Sequence, residues 1–172
     1  IALSAELDVT RGCINRWLSE AFVLALCVCG RQSSDGSREG AKDAKMTENE
    51  IATAIVDAAY KVHTTMGPGL LESVYEAVLA CEIGMRGISV QRQVPIAVRY
   101  ENIQFDVGFR ADLLVGGLVI CELKSLEQVL PVHKKQLLTY VKLADLRLGL
   151  LLNFGAARIK DGITRLVNHL PE

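Results

Sequence analysis

Apolar and polar positions in this sequence repeat first at helical spacing and then at strand spacing. Apolar residues three and four positions apart from Ile51 to Met66 predict a helix. Thr47 and Glu50 form a capping box that predicts its start. Gly and Pro at residues 67–69 end the pattern, and a second helix is predicted from about Leu70 to Arg86.

The second predicted helix has two distinguishable sides. One side carries Leu71, Val74, Val78, Cys81 and Met85, and another carries Glu72, Tyr75 and Leu79. By themselves, Glu72 and Tyr75 are typical of a solvated helix face.

Strand signals follow the second helix. Ile88 to Val98 contains Pro95, which is typical of an edge strand or a bulged strand. A turn at residues 100–102 and a partner strand from Ile103 to Val107 are predicted next. An apolar strand pair around a Gly-Gly turn then spans Gly108 to Lys124.

The last third of the sequence predicts one helix and two strands. Pro131 precedes a helix from Val132 to about Asp145. Leu148 to Phe154 is nearly all apolar, as expected for a strand buried on both faces, and Ile163 to Val167 is the final strand. The order of helix, helix, strands, helix and strand predicts an α/β fold around a mixed sheet.

Three charged residues interrupt the apolar strand pair. They are Asp112 on the first strand and Glu122 and Lys124 on the second. Charged residues are rarely buried without a partner or a metal. The strand pair therefore either exposes a salt-bridge cluster to solvent or builds a functional site, and spacing alone leaves both readings open.

Strand alternation sorts these residues into faces. On the second strand, Ile120, Glu122 and Lys124 share one face. On the first strand, one face is expected to carry Arg110, Asp112 and Leu114, and the opposite face Phe109, Ala111 and Leu113. A two-residue turn at Gly116-Gly117 would place Asp112 opposite Cys121, on the wrong face from Glu122. We therefore predict a three-residue loop or a bulge near Gly116 to Leu118 if the two acids act together.

Composition limits the class of protein. The chain has 172 residues, half of them apolar, which is enough for one domain with a core. Its net charge of −1 gives no general attraction to nucleic acid, so binding would depend on a local basic patch. The residues available for that patch are Arg92, Arg110, Lys134 and Lys135. Five cysteines without a CxxC pair favour reduced thiols in the cytoplasm over disulfides or structural zinc.

The first 45 residues have a different character. Residues 11–30 resemble the apolar region of a signal peptide and are too short to span a bilayer, while Glu20 and the missing cleavage site oppose that reading. Residues 31–45 are polar, as in a disordered linker. We predict that Met46 is the natural start, that 1–45 is a non-domain extension rather than a targeting segment or small N-terminal element, and that 46–172 is the domain.

Two groups of residues carry a resemblance to a known family. GLLESVY, residues 69–75, resembles the signature of the GxxExxY proteins. Asp112, the Glu122-Leu-Lys run and QLLTY at residues 136–140 resemble the PD-(D/E)XK nuclease superfamily. The resemblance covers roughly Thr47 to Asn168 and implies a restriction-endonuclease-like αβββαβ core with a mixed central sheet flanked by helices.

The resemblance also implies a site and an activity. Its residues would be Glu72 from the first core helix, the metal-binding acids Asp112 and Glu122, the adjacent Lys124, and the helix residues Gln136 and Tyr140. The implied activity is hydrolysis of phosphodiester bonds in DNA, with RNA less favoured. Arg110, Lys134 and Lys135 would bind substrate.

The chemistry of this set suits a hard cation. Mg²⁺, or Mn²⁺ in its place, needs only one or two carboxylates and a backbone carbonyl, here that of Leu123, because it keeps several waters. Lys124 would orient or help deprotonate the attacking water, or stabilise charge on the phosphate.

A second hypothesis is a non-catalytic nuclease-fold module that binds protein or nucleic acid. The near-neutral charge favours it. The intact acid-acid-lysine set opposes it, because a binding domain has no need to hold two carboxylates together against their repulsion. Membrane association is not expected, and a homodimer is left open.

Overall fold

The computed structural model describes residues 46–101 and 103–170. Within these residues no helix has the length and apolar character needed to cross a membrane. The predictions about residues 1–45 lie outside the described part of the chain. The core elements predicted for the remainder can all be compared with the structure.

Four helices and five strands occur in the described residues. In chain order they are α1 (Glu48–Met66), α2 (Glu72–Met85), β1 (Val90–Tyr100), β2 (Ile103–Val115), β3 (Val119–Lys124), α3 (Pro131–Leu143), β4 (Leu148–Asn153), α4 (Ile159–Gly162) and β5 (Ile163–Val167). The sheet has the order β1-β2-β3-β4-β5, in which only β3 and β4 pair in parallel. The predicted mixed sheet flanked by helices is confirmed.

The helices cover both faces of the sheet. Buried side chains of α1 and α2 pack with β3 and β4 in a first core cluster that includes Phe154. Leu137, Tyr140 and Val141 of α3 pack on the other face with Ile120 in a second cluster. All six residues of β4 are buried, as predicted for a strand covered on both faces.

Several elements differ from the prediction. The helix α2 begins at Glu72, and α4 was not predicted. A single strand, β2, runs through Gly108, although the sequence suggested two separate strands there. Pairing with β1 continues on both sides of that glycine, and a register shift between Ile96 and Val98 accommodates the irregularity. Pro95 lies in β1, which is an edge strand as predicted.

The buried face of α2 is the one that the sequence suggested was solvated. Tyr75, Leu79 and Ile83 are fully buried, whereas Leu71 and Met85 are exposed. The ring of Tyr75 stacks on Phe154 with centroids 4.4 Å apart, and its hydroxyl donates to the carbonyl of Gly67 at 2.6 Å. The reading of Tyr75 as part of a solvated face is therefore wrong, because this ring is the centre of the contact between α2 and the sheet.

Two glutamates lie on the same buried face of α2, and each is neutralised by basic side chains. Glu82 accepts from Lys61 at 2.8 Å and from Arg86 at 3.3 Å. Glu76 accepts from Nε of Arg92 at 2.7 Å. Buried carboxylates are tolerated only when they are paired, so these ion pairs explain why a helix face containing acids faces inward.

The expected grouping of Ala111 with Leu113 on β2 is wrong. Leu113 packs in the first core cluster, whereas Ala111 packs in the second. The register pairs Arg92 with Leu113 and Val94 with Ala111, so Gln93 faces Asp112 between them. Gln93 has a left-handed backbone, φ 52°, which interrupts the pleat at this point. Simple alternation consequently fails along this part of the hairpin.

The predicted loop between β2 and β3 is confirmed. Val115 pairs with Val119 and Leu113 with Cys121, so three residues, 116–118, form the connection. Gly116 and Gly117 have φ of 61° and 67°. Continued to the next pair, this register places Asp112 opposite Glu122, as the joint action of the two acids requires.

Alanine substitutions at the two glycines separate backbone strain from packing. Both require a left-handed backbone, which costs a residue with a side chain about 1–2 kcal/mol. A Cβ at Gly116 would lie 2.5 Å from Cδ1 of the buried Ile51, while a Cβ at Gly117 would meet nothing within 4 Å. We expect Gly116→Ala to lower the free energy of unfolding by about 1 kcal/mol more than Gly117→Ala, measured by urea denaturation. Equal losses would contradict this account of the loop.

Candidate active site

The three charged residues of the strand pair lie close to one another on β2 and β3. Glu122 lies in the middle of this group and is only 3% exposed. Lys124 follows two residues later on β3, and its Nζ donates to Oε1 of Glu122 at 2.8 Å. The solvent-exposed salt-bridge reading is not supported, because both members of this pair are largely buried.

The carboxylate of Asp112 is held from two sides. Its Oδ2 accepts the backbone N–H of Leu123 at 2.8 Å, and its Oδ1 accepts from Nε2 of Gln93 at 3.3 Å. Burial raises the pKa of Asp112, although the Leu123 amide and the charge of Lys124 oppose that rise. The bond to Leu123 ties the acid on β2 directly to the strand that carries the other acid.

Glu122 has one satisfied oxygen and one orphaned oxygen. Its Oε2 is buried and has no hydrogen-bond partner among the described residues. Burial raises the pKa of Glu122, and the negative charges of Asp112 and Glu72 add to the rise, against the hydrogen bond from Lys124. A desolvated carboxylate oxygen without a donor is costly, and in native proteins such an atom commonly faces water or an ion.

Lys124 provides the positive charge within this group. Its burial acts to lower the pKa, but the hydrogen bond and charge of Glu122, together with the charges of Glu72 and Asp112, raise the pKa overall. The side chain is therefore held as an ammonium among three carboxylates.

Glu72 reaches the group from the first residue of α2. Its Oε1 accepts the backbone N–H of Ser125 at 3.1 Å, immediately after β3. The Ser125 hydroxyl in turn donates to the carbonyl of Leu70 at 2.7 Å. The structure thus brings four of the predicted residues together: Glu72, Asp112, Glu122 and Lys124.

Gln136 and Tyr140 form a pair of their own on α3. Nε2 of Gln136 donates to the hydroxyl of Tyr140, and the buried tyrosine ring lies against Phe109 with centroids 5.0 Å apart. His133, on the same helix, accepts the backbone N–H of Leu130 at the helix start. Across residues 46–101 and 103–170, no hydrogen bond joins this pair to the acids, so its role in the site stays a prediction.

The predicted substrate-binding residues are all exposed: Arg110, Lys134 and Lys135. Arg110 lies on β2 two residues before Asp112, and the lysines lie in the first half of α3. Their solvent exposure suits a contact with phosphate, which stays a prediction.

Several residues near the acids were not identified from the sequence. Glu76 follows Glu72 by one helical turn, which was a readable signal, and it accepts from both Arg92 and Gln93. Asn153 is buried at the end of β4 and exchanges two hydrogen bonds with the backbone of Leu126, at 2.9 and 2.8 Å. It thereby fixes the loop that follows Lys124, and no sequence pattern indicated that contact.

The donor set can be tested against the cation that the resemblance implied. No group of three or more His, Cys, Asp and Glu side chains in the described residues forms a ready ligand cage. Mg²⁺ does not require one, since it is commonly held by one or two carboxylates and keeps several waters. The orphaned Oε2 of Glu122, with Asp112 opposite it, fits such a site. The Leu123 carbonyl as a third ligand stays a prediction.

Comparison with protein-family models identifies a family for more than half of the chain. A family model described as the PD-(D/E)XK nuclease superfamily matches residues 49–166. Comparisons with curated proteins and with solved structures found no match. The matched region runs from the second residue of α1 to the next-to-last residue of β5 and contains all the acids described above. With its mixed sheet and paired acids in a restriction-endonuclease-like fold, the chain belongs to the PD-(D/E)XK nuclease superfamily.

Proposed function

We propose that this chain is a metal-dependent nuclease of the GxxExxY group that hydrolyses phosphodiester bonds in DNA, with RNA as the less favoured substrate. The observation that carries the proposal is Oε2 of Glu122, which is buried beside Asp112 and has no hydrogen-bond partner within the described residues. The free thiols of Cys81 and Cys121 suit a protein of the reducing cytoplasm.

Asp112 and Glu122 would hold Mg²⁺ or Mn²⁺, with the Leu123 carbonyl as a further ligand. When bound, such an ion supplies charge neutralisation at the phosphate and a more acidic water. Partial desolvation of the Asp112 and Glu122 carboxylates would favour binding of such an ion. Leu123 donates its N–H to Asp112 and so holds that acid, while Oε2 of Glu122 has no hydrogen-bond partner among the described residues.

Lys124 has the geometry of a positioning donor. An ammonium has three N–H donors, and one of them is used by Oε1 of Glu122. Since no other hydrogen bond of this ammonium occurs in the described part of the chain, its remaining donors would orient the attacking water or contact a phosphate oxygen as charge develops. Glu72, fixed by the N–H of Ser125, adds negative potential that keeps the ammonium in place.

The non-catalytic alternative rests on the net charge of −1 alone. The packing opposes it, because a binding module would gain stability by replacing the orphaned carboxylate of Glu122. Strained or unsatisfied polar groups persist mainly where function requires them. The catalytic proposal accounts for this unsatisfied atom, whereas the binding-module proposal leaves it without a role.

Cleavage assays with matched variants test the activity. We expect the protein to cut single- or double-stranded DNA with Mg²⁺ or Mn²⁺ and to stop when the metal is chelated. Lys124→Ala should lose about 10²–10³-fold in rate, the usual cost of removing one transition-state donor. Lys61→Ala is the matched control, because Lys61 also pairs with a buried glutamate, Glu82, but between α1 and α2.

The same cleavage assay compares two variants, Glu122→Gln and Glu82→Gln. In the unchanged protein both positions hold a buried glutamate that binds a lysine. Only the first should abolish cleavage. Full activity in both Glu122→Gln and Lys124→Ala would rule out this site. If the unchanged protein cut neither DNA nor RNA, the binding-module hypothesis would take precedence.

Metal binding is testable without catalysis. A ligand that binds only the folded state stabilises it by about 2.7 kcal/mol at one hundred times its dissociation constant. We therefore expect Mn²⁺ or Mg²⁺ to raise the melting temperature of the unchanged protein and of Asp57→Asn, an exposed position on α1. Asp112→Asn should show no such rise. An equal rise in Asp112→Asn would place the bound ion elsewhere.

A further inference from the structure

A buried carboxylate beside the predicted site is joined to it by one amide. Oε1 of Glu76 accepts from Nε of Arg92, and Oε2 accepts from Nε2 of Gln93, both at 2.7 Å. The same Nε2 lies 3.3 Å from Oδ1 of Asp112. Glu76 and Gln93 therefore connect the guanidinium of Arg92 to the metal-binding acid through two hydrogen-bonded groups.

The backbone of β1 is distorted where this connection forms. Adjacent residues of a regular strand point to opposite faces, so Arg92 and Gln93 would not reach the same carboxylate. Gln93 is in the left-handed region, φ 52°, which is a strained conformation for a residue with a side chain. The distortion lets both side chains converge on Glu76, next to Asp112.

The guanidinium of Arg92 is fixed at one end and accessible at the other. Only its Nε bonds to Glu76, and the side chain is 49% exposed. No hydrogen bond to either Nη atom occurs within the part of the chain that the structure describes. The two Nη groups of a guanidinium form a planar fork that matches two oxygens of a phosphate.

Arg86, the residue that follows the end of α2, shows what a purely structural arginine looks like. It also pairs with a buried glutamate, Glu82, but its Nη1 donates to the carbonyl of Ala54 at 3.1 Å and its Nη2 to Glu82 at 3.3 Å. Both ends of that guanidinium are used within the protein. Arg92 differs because its two Nη groups, which suit a phosphate, make no hydrogen bond within the described residues.

We propose that Arg92, held by Glu76, binds a backbone phosphate of the nucleic-acid strand beside the phosphate that is cleaved. This rests on the proposed nuclease function and adds a specific anchor to it. Because the contact is to phosphate, it is independent of base sequence. The Glu76-Gln93 link fixes the distance between this anchor and Asp112, so the anchor sets where the strand lies relative to the site.

The test measures binding of labelled single-stranded and duplex DNA oligonucleotides against salt concentration, in a Glu122→Gln background that prevents cleavage. Arg92→Gln should weaken binding about 10–100-fold, the range for a charge-assisted phosphate contact, and reduce the salt slope by about 1. Arg86→Gln is the matched control and should bind with the slope of the background protein. An unchanged slope in Arg92→Gln would overturn the proposal.

A second variant removes the complication that Arg92→Gln leaves Glu76 buried without its cation. In Arg92→Gln/Glu76→Gln, neutral amides replace the ion pair, and the melting temperature reports whether the fold is kept. If Arg92 is only structural, this double variant binds DNA like the background protein, which overturns the proposal. Weak binding with the reduced slope supports it, as does Arg92→Lys if it keeps the slope but loses affinity.

Failure of this inference and failure of the nuclease proposal give different results. If the unchanged protein cuts DNA while the Arg92 variants bind normally, only the phosphate anchor is wrong. If the unchanged protein neither binds nor cuts DNA or RNA, both proposals are wrong.

Discussion

The register between β2 and β3 is the constraint on which the site depends. The three-residue loop pairs Leu113 with Cys121, and this register continued by one pair sets Asp112 against Glu122. A shift by one residue would send one acid to the other face of the sheet. Two carboxylates placed this way repel each other, and burial makes each ionised form more costly. The Leu123 amide and Lys124 offset part of that cost through their hydrogen bonds to the two acids. The cost is not offset at Oε2 of Glu122, which is buried without a hydrogen-bond partner among the described residues.

Ion pairs with residues distant in sequence decide which face of α2 is buried. The apolar side chains of Leu71 and Met85 stay exposed, while Glu76 and Glu82 turn inward with Tyr75. Their cationic partners, Arg92 and Lys61, come from β1 and α1. When a helix is interpreted from its own sequence, acidic residues are assigned to the surface. The buried face of α2 could therefore not be identified without the positions of those cationic partners.

Local signals in the sequence predicted most of the fold and the centre of the site. The capping box at Thr47, the fully apolar β4 and the need for a three-residue loop at Gly116 each depend on neighbouring residues, and the structure confirms them. What could not be predicted depends on longer contacts. Gln93 adopts a left-handed backbone although nothing in its local sequence requires it, and this conformation changes the faces of β2. The pairing of Gln136 with Tyr140 likewise depends on how α3 lies on the sheet.

The net charge of the chain does not reveal the cations at this site, because they are paired with glutamates. Two cations close to the acids, Lys124 and Arg92, are each bound to a glutamate, so each of these pairs adds nothing to the formal charge of the chain. Each glutamate holds its cation in place and offsets the cost of its partial burial, and each cation has further N–H donors that its glutamate does not use. A chain with a net charge of −1 can therefore present oriented positive groups to a phosphate without a broad basic surface. Such an arrangement favours contacts at fixed positions over general attraction to polyanions, as expected if Lys124 and Arg92 act on particular phosphates of one strand.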